Sequence, residues 1–148
     1  MIKVAPKIRF HHAHPEFNLR SRTQIRNFIA RQLKAKGFRV LSVDYIFCTD
    51  DYLLEINKRH LNHSTYTDII TFDNSGESKS IDSEIYISID RVRENAEHYK
   101  TTFKNELLRV MFHGILHLMG YKDKTKADEA QMRKMEDLWL AKWGKEGK

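Results

Sequence analysis

The run LLRVMFHGILHLM, residues 107–119, constrains the fold more than any other stretch of this chain. It is apolar on nearly every side of a helix, which predicts a helix buried at the centre of the molecule with the other elements packed around it. The spacing has this helix begin at Phe103, after a break at Thr101 and Thr102, and end at Gly120, because glycine adopts the left-handed conformation that terminates helices at no steric cost. His113 and His117 interrupt the apolar run four residues apart, so their imidazoles lie one above the other and can be directed at a single point. Two histidines in a core helix can also be plain structural residues, each bonded to a neighbouring backbone group. What favours a metal is the rest of the spacing: a helix-ending glycine three residues after the second histidine, and Asp123 three beyond that. A reversal at Gly120 can bring Asp123 back as a third ligand and leave a fourth position for a metal-bound water, the arrangement of a catalytic zinc site.

The rest of the chain supplies the sheet that such a helix needs. KVAPKIRF, residues 3–10, reads as a first strand. SRTQ at 21–24 has the pattern of a capping box, opening a helix whose apolar face is Ile25, Phe28, Ile29 and Leu33 and whose stop is Gly37. Arg22, Arg26 and Lys34 are expected to point away from that face. Residues 38–48 are rich in β-branched and aromatic side chains and suit a strand, with Cys48 as a small buried apolar residue. A short helix capped by Thr49 and Asp50 is expected to follow, through YLLEINKRHL. TDIITF (67–72) and SEIYISI (83–89) read as two further strands around a polar, turn-rich segment, and helices are expected over 91–99 and 126–143. The expectation is an α+β fold: one domain over residues 1–148, a mixed sheet of about four strands covered by helices, and the metal site on the C-terminal part of the central helix. Strand order does not follow from the pattern.

Charge narrows the partners. Residues 1–39 hold ten Lys or Arg against Glu16 alone, whereas the remainder holds 16 basic against 19 acidic residues. Clustered cations gain affinity for phosphate backbones by releasing counterions, so a polyanionic partner is expected, with Arg22 and Arg26 of the first helix as candidate phosphate contacts, RNA-binding residues if the partner is RNA. The plainer reading is a solubilising surface. Nothing approaches the roughly 20 apolar residues of a membrane span, and the N-terminus lacks the apolar centre of a signal peptide, so no membrane role and a cytoplasmic location are expected.

The ligand spacing is also that of the metzincin proteases, whose core is H-E-x-x-H-x-x-G-x-x-H, but glycine stands at 114 where their general-base glutamate stands. HGILHLMGYKD instead resembles the H-G-x-L-H-L-x-G-Y-D-H signature of the YbeY family of bacterial ribosomal-RNA maturation endoribonucleases. The resemblance extends to Ile56–Asn57, to TDIITF, to EIYIS at 84–88, and to Met132 with Glu136, covering roughly residues 45–140. It implies a zinc-dependent, single-strand-selective endoribonuclease, a hydrolase with one Zn2+ per chain, that matures the 3′ end of small-subunit ribosomal RNA and acts in late ribosome quality control. Its partners would be ribosomal RNA and the small ribosomal subunit.

The chain departs from that signature at Asp123, where the family usually has histidine, and at Lys122, where it usually has aspartate. A carboxylate is an acceptable zinc ligand. The family arginine thought to contact phosphate aligns with Leu61, and Arg59 stands close enough in sequence to take that catalytic role; its other reading is a solvated helix residue. Two rivals remain: a small zinc metalloprotease, and a non-catalytic ribosome-assembly factor with a structural metal. Outside the motif, His11, His12 and His14 are expected at the surface, and His60 and His63 in a loop bordering the cleft. Glu106 is expected to be a first-turn residue favourable to the helix dipole, and Met132, Met135 and Trp139 to be core.

Overall fold

The computed structural model of the chain describes residues 7–61 and 66–147. Its elements, in order, are β1 (Ile8–His12), α1 (Arg22–Ala35), β2 (Arg39–Cys48), α2 (Asp50–Leu61), β3 (Ile69–Asp73), β4 (Ser80–Ser88), α3 (Ile89–His98), α4 (Phe103–Leu118) and α5 (Lys126–Lys142), the last passing into a π-helical turn over Trp143–Gly147. The strands form one sheet in the order β1-β2-β4-β3. β1 and β2 are parallel, as are β2 and β4, and β3 closes the edge antiparallel to β4. This is the mixed four-stranded α+β architecture expected.

The packing follows from alternation along the strands, whose successive side chains point to opposite faces. Val43, Tyr45 and Phe47 of β2 and Ile81, Ile85 and Ile87 of β4 face the main core, where α1 and α4 cover the sheet and α5 packs against α4. Phe28, Phe112, Trp139 and Trp143 meet edge to face or tilted and join these helices. Truncating such an aromatic costs about 3–5 kcal/mol. The Tyr45 hydroxyl, fully buried, donates to the Met111 carbonyl at 2.8 Å and ties β2 to the middle of α4. On the opposite face α2 covers only a small cluster of Cys48, Leu53 and Ile70. Near β1 that face is polar: Arg9 grips Asp44 through Nε at 2.8 Å and Nη2 at 2.9 Å, with His11 at 2.7 Å.

As expected, α4 is buried on almost every side, from Leu107 to Leu116. Gly114 is where it comes closest to the sheet: a Cβ there would lie 3.1 Å from Ile69 Cδ1 and 3.2 Å from Ile85 Cδ1 and Cγ2. Glycine at 114 is therefore set by helix-to-sheet contact.

Several local expectations are corrected. The first strand runs over residues 8–12, carrying His11 and His12, and residues 3–6 of the expected strand lie outside those described, as does His63. No capping box forms at the start of α1. Ser21 has φ 60°, the left-handed region, and its side chain makes no cap hydrogen bond, because an N-cap hydroxyl reaches the helix N–H groups from extended backbone. β4 begins at Ser80, not Ser83, since parallel pairing of Ser80 with Arg39 extends it. His14 is buried, not at the surface, with Nε2 2.9 Å from Asp90 Oδ1. His12 accepts the Leu19 N–H at 3.0 Å, so of the three early histidines only His11 is exposed.

Candidate metal centre

One face of α4, carrying Glu106, Arg109, His113 and His117, opens into a cleft of about 760 Å³. The other walls are β3 with the residues before it, the end of α3, the loop after α4, and α5. The loop is built as the sequence suggests. Gly120 sits at φ 109° with its N–H on the His117 carbonyl at 3.0 Å, and the Tyr121 N–H returns to the Leu116 carbonyl at 3.1 Å, which ends the helix and reverses the chain. Asp123 then comes back alongside α4, its Oδ2 3.3 Å from His113 Nε2.

His113 is oriented from behind. Its Nδ1 lies 2.8 Å from Glu136 Oε2, and Glu136 is only 4% exposed, so a buried carboxylate accepts the Nδ1–H hydrogen bond and leaves Nε2 facing Asp123. The other oxygen of Glu136 accepts from Arg109 at 3.1 Å, and Arg109 also donates to Asp137 at 2.8 Å. Burial opposes charge on His113, but the Glu136 hydrogen bond, with the Glu136, Asp123 and Asp68 charges behind it, outweighs that and holds its pKa above the ordinary histidine value. Asp68, also in the cleft wall, is pushed above the ordinary carboxylate value by burial, offset in part by His113. Glu106 is raised for the same reason, with Arg109 opposing. It does lie in the first turn of α4, but it is buried and faces the cleft, so the dipole is only part of its setting.

These residues can be tested against zinc. Two ligands of one tetrahedral zinc, at about 2.0–2.2 Å each, stand roughly 3.4 Å apart. The 3.3 Å between His113 Nε2 and Asp123 Oδ2 matches that separation. The donor chemistry fits too, since imidazole and carboxylate are both zinc ligands and Glu136 supplies the carboxylate that commonly backs a ligating histidine. Among the described residues no three His, Cys, Asp or Glu side chains already converge on one metal position. His117 lies one turn beyond His113 on the same wall and is exposed.

The other candidates lie elsewhere. Arg59 is exposed on α2 and does not line the cleft. Arg22 and Arg26 are likewise outside it. The expected orientation of Arg26 is corrected: its Nε donates to the Ile8 carbonyl at 2.8 Å and its guanidinium lies over the Phe10 ring, tying α1 to β1. Arg22 is exposed and bonds to Asn18 and to the Leu19 carbonyl. His60 belongs to α2, edge-on to Phe72, and is not a cleft residue. Met132 and Trp139 are core and Met135 packs against it, as expected. Sequence reasoning passed over Arg109 and Asp68. Arg109 was legible as the residue four before His113 on the same helical face, and Asp68 as the lone acid just ahead of a strand.

The profile of the family described as Endoribonuclease YbeY matches residues 8–144. A protein named Endoribonuclease YbeY from Cytophaga hutchinsonii is 48% identical over 126 residues, covering 85% of this chain and 88% of its own. One of the same name from Flavobacterium psychrophilum is 49% identical over 122 residues, covering 82% and 86%. The solution structure of TM1509 from Thermotoga maritima matches with a TM-score of 0.63 at 27% identity, over 93% of this chain and 90% of that one.

Proposed function

Because the chain belongs to the YbeY family of endoribonucleases, we propose that it is a zinc-dependent enzyme that cuts single-stranded RNA, matures the 3′ end of small-subunit ribosomal RNA and acts in late ribosome quality control. The observation that carries the metal reading is the pair His113 Nε2 and Asp123 Oδ2, 3.3 Å apart, with Nδ1 of the same ring anchored on buried Glu136. His113, His117 and Asp123 would hold one zinc per chain. When bound, zinc supplies a Lewis acid for the scissile phosphate and brings the pKa of a water down towards neutrality.

The chain's own residues do the positioning. Glu136, fixed by Arg109, holds the His113 ring at one angle and keeps its proton on Nδ1. Arg22 and Arg26 would contact phosphates remote from the cleft, and Arg59, displaced from the family's arginine position, would approach the backbone from α2. No described helix is long and apolar enough to cross a membrane, and the proposed location is the cytoplasm, where the small subunit is assembled.

The protease alternative loses ground on geometry as well as chemistry. Position 114 faces Ile69 and Ile85 of the sheet, so a general base there would have no access to the cleft. The test is cleavage of an unstructured RNA, with casein as control, by wild type and His117→Ala, measuring zinc in both. RNA cleavage and zinc lost together in the variant support the proposal, and zinc fully retained in the variant removes it.

A further inference from the structure

Among the cleft-lining residues carboxylates outnumber cations, five (Asp68, Glu106, Asp123, Glu129, Glu136) to three (Arg109, Lys126, Arg133). The most buried of the cations, Arg109, is already committed to Glu136 and Asp137. With the proposed zinc added, the wall carries no cationic excess, so attraction for phosphates alone holds a strand weakly there and contacts to its bases add to the grip. The cleft has one surface suited to that. Tyr99 lines it and is 59% exposed, the most exposed large hydrophobic side chain among the described residues.

Its backbone is fixed at the end of α3. The Tyr99 N–H bonds the Asn95 carbonyl at 2.9 Å, Lys100 turns the chain at φ 55°, and the Thr101 N–H closes on the Ala96 carbonyl at 3.0 Å. The His98 ring meets Tyr99 in a T-shaped contact at 5.0 Å, which supports one side of the ring.

We infer that Tyr99 is a stacking platform for an unpaired nucleobase next to the scissile phosphate. The ligand class is any of the four bases of single-stranded RNA, because stacking on a phenol ring needs a π-face and reads no hydrogen-bonding edge. A base inside a duplex is already stacked on its neighbours and cannot be offered to the ring. Tyr99 therefore provides selectivity for single strands without sequence preference. This rests on the endoribonuclease reading above.

The experiment compares kcat/KM of the zinc-loaded enzyme on a single-stranded nonamer and on a set of nonamers abasic at one position each, for wild type, Tyr99→Ala, Tyr99→Phe and Tyr99→Trp. Stacking predicts that Tyr99→Ala loses about tenfold on the intact RNA, that wild type loses about as much at one abasic position, and that the two losses do not add. Tyr99→Phe and Tyr99→Trp should match wild type. A 2-aminopurine placed at that position should be quenched by wild type and less by Tyr99→Ala, a signal independent of turnover. Additive losses at every abasic position, or a Tyr99→Phe defect as large as that of Tyr99→Ala, overturn the stacking role and leave the nuclease reading intact. A wild type that cuts no RNA overturns both.

Discussion

Glu136 of α5 and His113 of α4 are joined by a 2.8 Å contact between Oε2 and Nδ1, made in a position where Glu136 is almost sealed from solvent. A carboxylate behind a ligating imidazole fixes its tautomer and raises its basicity, and losing it commonly costs 10–100-fold in metal affinity. Glu136→Ala should therefore weaken zinc binding by about that factor with His113, His117 and Asp123 all present. Glu136→Gln, which keeps an acceptor but not the charge, should lose less. Chelator competition on the three proteins decides it, and equal affinities would show that Glu136 only packs.

Asp123 should be the replaceable ligand. Asp123→Ala leaves two histidines and should release zinc readily, while Asp123→His should bind at least as well as wild type, since an imidazole spans a comparable distance. Removing the metal with a chelator should abolish RNA cleavage in wild type, with zinc restoring it. An Asp123→Ala protein with undiminished affinity would mean that the third donor comes from another part of the chain.

Gly114 should resist enlargement. In an open helix Gly→Ala gains about 1 kcal/mol, but here the new methyl meets Ile69 and Ile85 at 3.1–3.2 Å, and overpacking costs about 1–3 kcal/mol. Gly114→Ala should come out about 1 kcal/mol less stable. Gly114→Glu, which buries an unpaired carboxylate against two isoleucines, should lose more than about 3 kcal/mol and gain no activity on casein. Denaturant midpoints measure both. A stabilised Gly114→Ala would mean that the contact relaxes freely.

Arg26→Gln should lose stability in addition to any phosphate contact. It gives up the hydrogen bond to the Ile8 carbonyl and the contact with Phe10, a loss of about 1–2 kcal/mol. Arg22→Gln, at an exposed position, should leave the melting temperature nearly unchanged and reduce the salt dependence of RNA binding. Thermal melts beside salt titrations separate the two effects. A melting temperature unmoved by Arg26→Gln would discount the tie between α1 and β1.

Asp44 sets an acid limit for the β1–β2 pair. The hydrogen bond from Arg9, helped by His11 and opposed by burial, holds its carboxyl below the ordinary carboxylate value. A group depressed in the folded state contributes stability above its unfolded pKa of about 3.9 and loses it as pH falls through the lower folded value. Asp44→Asn should cost about 0.5–1 kcal/mol at neutral pH, and the gap from wild type should close below about pH 3.9. A gap that persists under acid would assign the effect to packing.

What the sequence disclosed was local. The burial of α4, the stacked histidines and the reversal at Gly120 each depend on residues within a few positions of one another, so periodicity and one glycine were enough. Long-range partners were hidden. His14 is buried because Asp90 waits 76 residues away, and Arg26 is tied down by a carbonyl 18 residues earlier. Glu136 stood out in the sequence only through the family resemblance, and its bond to His113 depends on how α5 docks against α4. Ser21 failed as a cap for a backbone reason that no residue type reveals.

The mixed sheet carries a kinetic consequence. β1 meets β2 with Ile8 opposite Val43, and β2 meets β4 with Arg39 opposite Ser80, so each parallel pairing must close a long loop before it is rewarded. Among the described residues only β3 and β4, with Asp73 opposite Ser83, form a short-range antiparallel pair. During synthesis that hairpin and the helices after it, which build the cleft, can assemble through near-neighbour contacts. The N-terminal edge strand emerges first, yet its docking on β2 waits for one long loop to close, and the pairing of β2 with β4 waits for a longer one still.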